Sequence, residues 1–297
     1  MKAIISGLIN TETNVAVREF PIPYFPIDYP FFGVNTSVGG VGYNISKALK
    51  TLGDDVSLYS FTGNDLTGDM IIKELENDQI ATDKISRTLK ATPQSVVLHA
   101  PDGRREIYCD LKDIQDTSFH PSPSFMDEIQ KADVFILCNI NFNRSMISKL
   151  KECGVRIATD VHVLSQTEDE YNRDFLENAD IVFLSDEGIK GYEHEFLRKL
   201  ASRFPASVIV MGRGEKGVTY YERSTDHLTD LPACQTTDIV NTIGAGDALF
   251  SSFLHFYVQG LSVSDSLKRA QKFASIKIGF DGAANGFVTE KELESLL

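Results

Sequence analysis

Short apolar runs recur along the chain, separated by stretches whose apolar positions are spaced as on one face of a helix. Ala3 to Ile9 reads as a buried strand and Asn10 to Asn14 as a polar loop at its end. Ile45 to Gly53 has helical spacing and closes on a glycine cap. Val56 to Phe61 alternates as a strand, and Gly63 to Asp69 leads into a helix ending near Asn77. The same rhythm predicts strands over Val134 to Cys138, Val155 to Thr159, Ile181 to Leu184 and Ser207 to Met211. Helices are expected over Met146 to Glu152, Glu193 to Phe204 and the apolar run Ala248 to Tyr257. This β-α-β-α order predicts a doubly wound, mainly parallel sheet with helices on both faces.

Two segments break the rhythm. Ser95 to His99 and Arg105 to Cys109, joined by Pro101-Asp102-Gly103, read as a hairpin, which implies a separate small sheet. Phe20 to Pro26 holds three prolines and cannot be helical, so it is expected as edge strand or lid. The expectation is one α/β domain over 1–297, with a small β lid formed by about 12–36 and 92–112.

A chain of 297 residues is long for one domain but within reach of a large α/β fold. The formal net charge of −13 argues against nucleic acid or an anionic membrane surface as partner. A phosphate ligand would therefore have to be held by local backbone dipoles and Mg²⁺. Cys109, Cys138, Cys153 and Cys234 are scattered, with no Cys-x-x-Cys pair, which argues against a zinc site or a disulfide framework. The first ten residues lack a signal-peptide pattern and no run is long enough to span a membrane, so a cytoplasmic location is expected.

The candidate chemistry sits in glycine clusters that open onto helices. In Asn241-Thr242-Ile243-Gly244-Ala245-Gly246-Asp247, small residues let backbone N–H groups converge at a helix start, where the dipole favours an anion. Asp247 at its rim could accept a proton from a hydroxyl attacking a bound phosphate. A helix-capping Asp in an ordinary loop accounts for that stretch about as well. A second cluster, Gly39-Gly40-Val41-Gly42-Tyr43-Asn44, far upstream, tips the balance. Gly212-Arg213-Gly214-Glu215-Lys216-Gly217 matches the dinucleotide fingerprint but runs into Val218-Thr219-Tyr220-Tyr221, which favours a strand, so a hairpin turn is expected there. No Gly-x-x-x-x-Gly-Lys-[Ser/Thr] occurs, which excludes a P-loop kinase.

Taken in order, the two clusters resemble the paired signatures of the ribokinase-like (PfkB) carbohydrate kinases, and the resemblance extends from Gly7 to the C-terminal helix. It implies the ribokinase-like fold and ATP-dependent transfer of a phosphoryl group to a hydroxyl of a sugar, sugar phosphate or nucleoside, with Mg²⁺ on the nucleotide. Asp247 matches the family's catalytic base, and Gly244, Ala245 and Gly246 its anion hole. Gly39, Gly40, Gly42 and Asn44 match the acceptor motif, with Asn10, Glu12 and Asn141 as further acceptor contacts.

Glu12 stands where the family has Asp, Val41 where ribokinases often have Lys, and Asn139 or Asn141 where they have an acid. The extra methylene of Glu12 moves its charge by more than a bond length, so the acceptor is expected not to be held as in a ribokinase. Drift and a changed acceptor explain the other two departures equally. Gly212, Arg213, Gly214 and Gly217 match the nucleotide turn, with Ser185 and Gly246 beside it. Arg213 could reach a phosphate or stand as an exposed turn arginine. Asp186 and Glu187 occupy the place of the Mg²⁺-ordering motif, or cap the next helix, and Asp160 could approach the same metal. Asn241 replaces an Asp that helps hold a monovalent cation, so weaker potassium binding is expected. Tyr24, Phe25 and His99 are candidate pocket walls. The apolar segment from Phe20 to Phe32 would suit a homodimer formed through the lid. A nucleoside kinase and a non-catalytic sugar or nucleotide sensor are the competing functions.

Overall fold

A computed structural model of the chain describes residues 1–234 and 239–297. In chain order the elements are β1 (Lys2–Ser6), β2 (Asn10–Ala16), β3 (Val34–Gly39), α1 (Val41–Leu52), β4 (Asp55–Gly63), α2 (Leu66–Asn77), β5 (Ile85–Leu89), β6 (Gln94–His99) and β7 (Arg105–Asp110). There follow α3 (Pro123–Ile129), β8 (Val134–Leu137), α4 (Ile147–Cys153), β9 (Ile157–Val163), α5 (Arg173–Asn178), β10 (Ile181–Ser185), α6 (Glu193–Arg203), β11 (Val208–Gly212), β12 (Val218–Glu222) and β13 (His227–Leu231). The chain closes with α7 (Ala245–Val258), α8 (Val263–Lys277) and α9 (Glu290–Glu294).

Nine strands form one sheet in the order β13-β12-β11-β10-β9-β8-β1-β4-β5. Seven run parallel from β5 to β11, and β12 and β13 fold back antiparallel at one edge. The central strands are apolar at consecutive positions because successive side chains enter opposite cores. Ala3, Ile5, Val134 and Ile136 pack with α1, α2, α7 and α8 residues such as Ile45, Ile71, Phe250 and Leu267. Ile4, Phe135 and Leu137 pack with Phe125, Leu150, Phe175 and Leu197 from the helices of the other face. The doubly wound class expected from the sequence is therefore what the chain adopts, with helices packed on both faces of the sheet.

Four further strands form a separate sheet in the order β3-β2-β6-β7. The hairpin read at 95–109 is present, with Val97 opposite Ile107. The segment read as a polar loop at Asn10 to Asn14 is instead the start of β2. It pairs antiparallel with β3, Glu12 opposite Ser37, and parallel with β6, Glu12 opposite Ser95. Polar residues form a strand here because the backbone partners come from distant segments. Phe20 to Pro26, expected as edge strand or lid, has no regular secondary structure.

Candidate functional site

The C-terminal ends of β1, β8, β9, β10 and β11 lie side by side and carry Gly7, Cys138, Asp160, Ser185 and Gly212 in or just beyond the strands. In open α/β sheets this edge is where ligands bind. Helix α7 begins at the same edge. Gly244 is its N-cap with φ 79°, and no side chain caps the helix. The first helical hydrogen bond runs from the Ala248 N–H to the Gly244 carbonyl, so the N–H groups of residues 245–247 precede the ladder. That of Ala245 turns back to the Thr242 carbonyl at 3.2 Å.

The two small residues of this turn answer to different constraints. A Cβ on Gly244 would lie 2.1 Å from the Ala283 carbonyl oxygen, so packing and the left-handed φ both require glycine. A Cβ on Gly246 would meet nothing closer than Asp160 Oδ2 at 4.0 Å. Glycine at 246 thus keeps open space that the protein's own packing does not use.

Asp247 is the third residue of α7 and only 8 % exposed. Asn44 in the first turn of α1 donates its Nδ2 to Asp247 Oδ2 at 2.7 Å, which joins two motifs 203 residues apart. Desolvation raises the Asp247 carboxyl to about 6, against the Asn44 hydrogen bond and the charges of His162 and Lys277, while Asp160 adds to the rise. His162 follows Asp160 on β9, in the left-handed region at φ 58°, and its N–H donates to Asp160 Oδ1 at 2.8 Å. Cys138 is buried nearby, and burial together with Asp247 and Asp160 pushes its thiol far up.

On the acceptor side, the start of α1 presses on the loop after β1. A Cβ on Gly42 would lie 2.8 Å from the Gly7 carbonyl carbon, and one on Gly40 2.6 Å from the Leu8 carbonyl oxygen. Gly40 and Gly42 therefore serve close backbone packing. Gly39 differs, because a Cβ there would sit at ordinary contact distance, 3.5 Å from Asn10 Oδ1 and 3.6 Å from Glu12 Cβ.

Asn10 donates Nδ2 to Ser95 Oγ at 2.7 Å, and Ser95 donates to Cys109 Sγ at 3.4 Å, a chain the sequence did not reveal because it crosses three strands. Asn10 Oδ1 and Asn44 Oδ1 are both buried without a hydrogen-bond partner. Such orphaned acceptors are costly unless a ligand's donor completes them. Glu12 Oε1 accepts from Asn14 Nδ2 at 3.2 Å. Asn141 is engaged elsewhere: its amide bonds the Gln115 carbonyl at 3.5 Å and accepts from Arg144 at 3.3 Å. Asn139 donates to Asn172 Oδ1 at 3.0 Å. Tyr24, 88 % exposed, and Phe25, under the Arg18 guanidinium, lie on the irregular segment beyond β2. His99 pairs with Arg105 at the far end of the small sheet.

On the remaining side, β10 and β11 bring Ser185 opposite Gly212. Gly214 and Gly217 form the turn into β12, so the hairpin reading of this glycine motif holds. Arg213 is neither exposed nor unpaired: it bonds Asp230 Oδ1 and Thr219 Oγ1, each at 2.8 Å. Asp186 is buried, its N–H bonded to the Gly212 carbonyl at 3.0 Å, whereas Glu187 is exposed. Asn241 Oδ1 accepts from the Ile243 N–H at 2.8 Å, and its Nδ2 donates to Asp281 Oδ1 at 3.0 Å. No cluster of three or more His, Cys, Asp or Glu that could hold a metal occurs among the described residues.

Two residues of the site, His162 and Lys277, escaped the sequence reading. Lys277, the last residue of α8, is fully buried and donates Nζ to the Ile243 carbonyl. Burial pulls its ammonium down to about 8 against the opposing pull of Asp281, Asp247 and Glu12. The signal available was its place four residues after Phe273 and seven after Ala270, on the buried stripe of α8.

Comparison with known proteins bears on this arrangement directly. Residues 8–290 match the model of the pfkB family carbohydrate kinases. The chain is 24 % identical over 266 residues to an acarbose 7(IV)-phosphotransferase of Actinoplanes sp., covering 89 % of this chain and 88 % of that one. It is 23 % identical over 275 residues to a fructosamine kinase of Bacillus subtilis, covering 91 % and 92 %. Among solved structures, a microbiome-derived acarbose kinase superposes with a TM-score of 0.86 at 22 % identity, over 99 % of this chain and 98 % of that one. A ribokinase of Arabidopsis thaliana, complexed with ribose and ATP, superposes at 0.83 and 18 % identity, over 99 % and 97 %. With a family match across nearly its whole length and the corresponding fold, the chain belongs to the pfkB family of carbohydrate kinases, ATP-dependent phosphotransferases.

Proposed function

We propose that this chain transfers the γ-phosphoryl group of ATP to a hydroxyl of a sugar or related small molecule, with Asp247 as general base. The observation that carries the proposal is the buried Asp247 carboxylate at the uncapped start of α7, held by Asn44 of the acceptor motif. A carboxylate raised to about 6 is ionised at neutral pH, yet is a stronger proton acceptor than an exposed one. In the reaction Asp247 takes the hydroxyl proton, the oxygen bonds to the γ-phosphorus, and the bond from that phosphorus to the oxygen bridging it to ADP breaks. The N–H groups of the Gly244-Ala245-Gly246 turn stabilise the charge on the phosphoryl oxygens.

On the acceptor, Asn10 Oδ1 and Asn44 Oδ1 supply two acceptors suited to a polyol's hydroxyl donors, and the space at Gly39 lets the sugar approach the backbone. Gly40 and Gly42 shape that wall. Glu12 sits beside Gly39 and Asn10. Asn141, bonded within its own loop, is the weakest of the acceptor assignments. We assign the nucleotide to the edge formed by Ser185, Gly212, Arg213, Gly214 and Gly217, with its phosphates at Gly246.

The donor set fits a hydrated Mg²⁺ held chiefly by the nucleotide, since Asp186 and Asp160 each offer one buried carboxylate, Glu187 faces solvent, and Mg²⁺ commonly keeps waters and phosphate ligands. Asp186 and Asp160 would hold that shell, and Mg²⁺ would supply charge neutralisation to the phosphates. The four-stranded sheet serves as the lid, over about 12–36 and 92–112, and the exposed apolar segment beyond it supports pairing of two copies.

The test is ATP turnover across pentoses, hexoses, sugar phosphates, oligosaccharides and nucleosides, a range suggested by relatives named for acarbose, fructosamine and ribose. A preferred sugar with turnover abolished by Asp247→Asn and ATP binding retained is the expected result. A preferred nucleoside would make this a nucleoside kinase. ATP binding without turnover on any acceptor would favour a sensor and sink the assignment.

A further inference from the structure

Lys277 is the only lysine or arginine among the described residues that is buried outright, and its position is specific. Its ammonium donates to the carbonyl of Ile243, the residue just before Gly244. The Ile243 carbonyl and the Gly244 N–H belong to one planar trans peptide and point in opposite directions. Anchoring the oxygen on α8 therefore turns the Gly244 N–H away from α8, and a charged donor on that oxygen polarises the N–H further.

The surrounding acceptors are occupied as well. Asn241 Oδ1 accepts from the Ile243 N–H, and the Ile278 carbonyl accepts from the N–H groups of Val240 and Asn241 at 2.8 and 3.1 Å. An alkali ion coordinated by this turn would have to displace donors already in place. Negative charge from Asp281, Asp247 and Glu12 surrounds the ammonium and balances it. A cation at the end of a helix also meets the negative end of the helix dipole.

We infer that the Lys277 side chain is a built-in cation for the turn over residues 241–246, a positioning residue that aims the anion-binding peptide and makes phosphoryl transfer independent of added monovalent cations. The inference rests on the kinase reading above, but its test is separable from it.

Turnover and acceptor KM are measured for the wild type, Lys277→Met and Lys277→Ala, in tetramethylammonium chloride and then in potassium or ammonium chloride. Thermal melting of each protein without nucleotide is followed in the same salts. The wild type should show the same kcat and Tm in all three salts. Lys277→Met, which keeps length and apolar contact, should lose on the order of a hundredfold in kcat with acceptor KM little changed. Lys277→Ala, which opens room for an ion, should regain turnover in potassium or ammonium and melt higher in those salts. A several-fold rise in wild-type kcat with potassium would overturn the inference, as would a folded Lys277→Met with near-wild-type kcat. Should the wild type turn over no acceptor, the kinase reading fails and melting decides: a potassium-specific rise in Lys277→Ala alone supports the built-in cation, and its absence refutes it. If Lys277→Ala does not fold, the wild-type salt series and Lys277→Met decide the matter.

Discussion

A carboxyl buried as deeply as Asp247 binds its proton more tightly in the folded chain than in the unfolded one, and this sets two expectations of opposite sense. In the proposed reaction the ionised form is the base, so kcat should fall as pH drops through about 6. The groups facing Asp247 are Asn44 from α1, Asp160 and His162 from β9, Cys138 at the end of β8 and Lys277 from α8. Lys277→Met removes a charge that favours the ionised form, and should move that acid limb to higher pH in a pH–kcat series. Stability runs the other way. The folded pKa lies above the unfolded value, so this group's contribution to stability improves as pH falls from about 6 towards about 4, and above that window burial of the charge is a cost. Asp247→Asn should therefore melt higher than the wild type at pH 7 while losing turnover, which calorimetry and a kinetic assay can check together.

At the scale of elements, the start of α7 separates a glycine that packing requires from one that packing does not. Gly244→Ala forces a Cβ into the Ala283 carbonyl and a left-handed φ onto alanine, and should cost more than about 1 kcal/mol of stability. Gly246→Ala meets no protein atom closer than 4.0 Å and should melt like the wild type, yet lose turnover because its methyl group would intrude where the proposed reaction places the phosphoryl group. A Gly246→Ala enzyme of normal activity would count against the anion hole.

Helix α2 gives a third test. Asp65 caps it by accepting from the Gly68 N–H at 2.8 Å and also ties down Thr92. Asp65→Ala should cost about 1–2 kcal/mol by denaturant titration at neutral pH. Partial burial tends to raise the Asp65 carboxyl, but the Thr92 and Gly68 hydrogen bonds with Arg87 outweigh it and hold it low. Its stabilisation is therefore present above the ordinary carboxylate range and lost on acidification.

These elements were unequally legible. Helices α1 and α7 could be read because glycine clusters open onto apolar runs of helical period. Strand β2 could not, because Asn10 to Asn14 is polar and becomes a strand only through pairing with β3 and β6. The sequence read Arg213 as exposed because its partner, Asp230, lies on β13, seventeen positions away.

For the molecule as a whole, the exposed apolar segment beyond β2 stands out. Tyr24, Ile27, Tyr29, Phe31 and Phe32 are between 66 % and 100 % exposed, so one short segment concentrates the large exposed apolar side chains that mark interaction surfaces. We propose that it pairs two copies of the chain, as the lid segment suggested. Sedimentation over a range of concentrations should show a dimer that Phe31→Ser with Phe32→Ser shifts towards monomer, and a wild type monomeric throughout would refute the pairing. No helix among the described residues is long and apolar enough to cross a membrane.

From the sequence alone came the class of the fold, the alternating strand–helix rhythm of its core, the two glycine motifs and the base candidate Asp247. Those properties are written in local periodicity and in residue types that only certain backbone turns tolerate. The tertiary structure decided the rest. It paired Asn44 with Asp247 and Asn10 with Ser95, left two amide oxygens without partners, and set a buried lysine behind the Ile243 carbonyl. Each of those facts depends on contacts between segments from 34 to 203 residues apart. The burial that raises Asp247 and lowers Lys277 exists only once both cores have closed around the sheet.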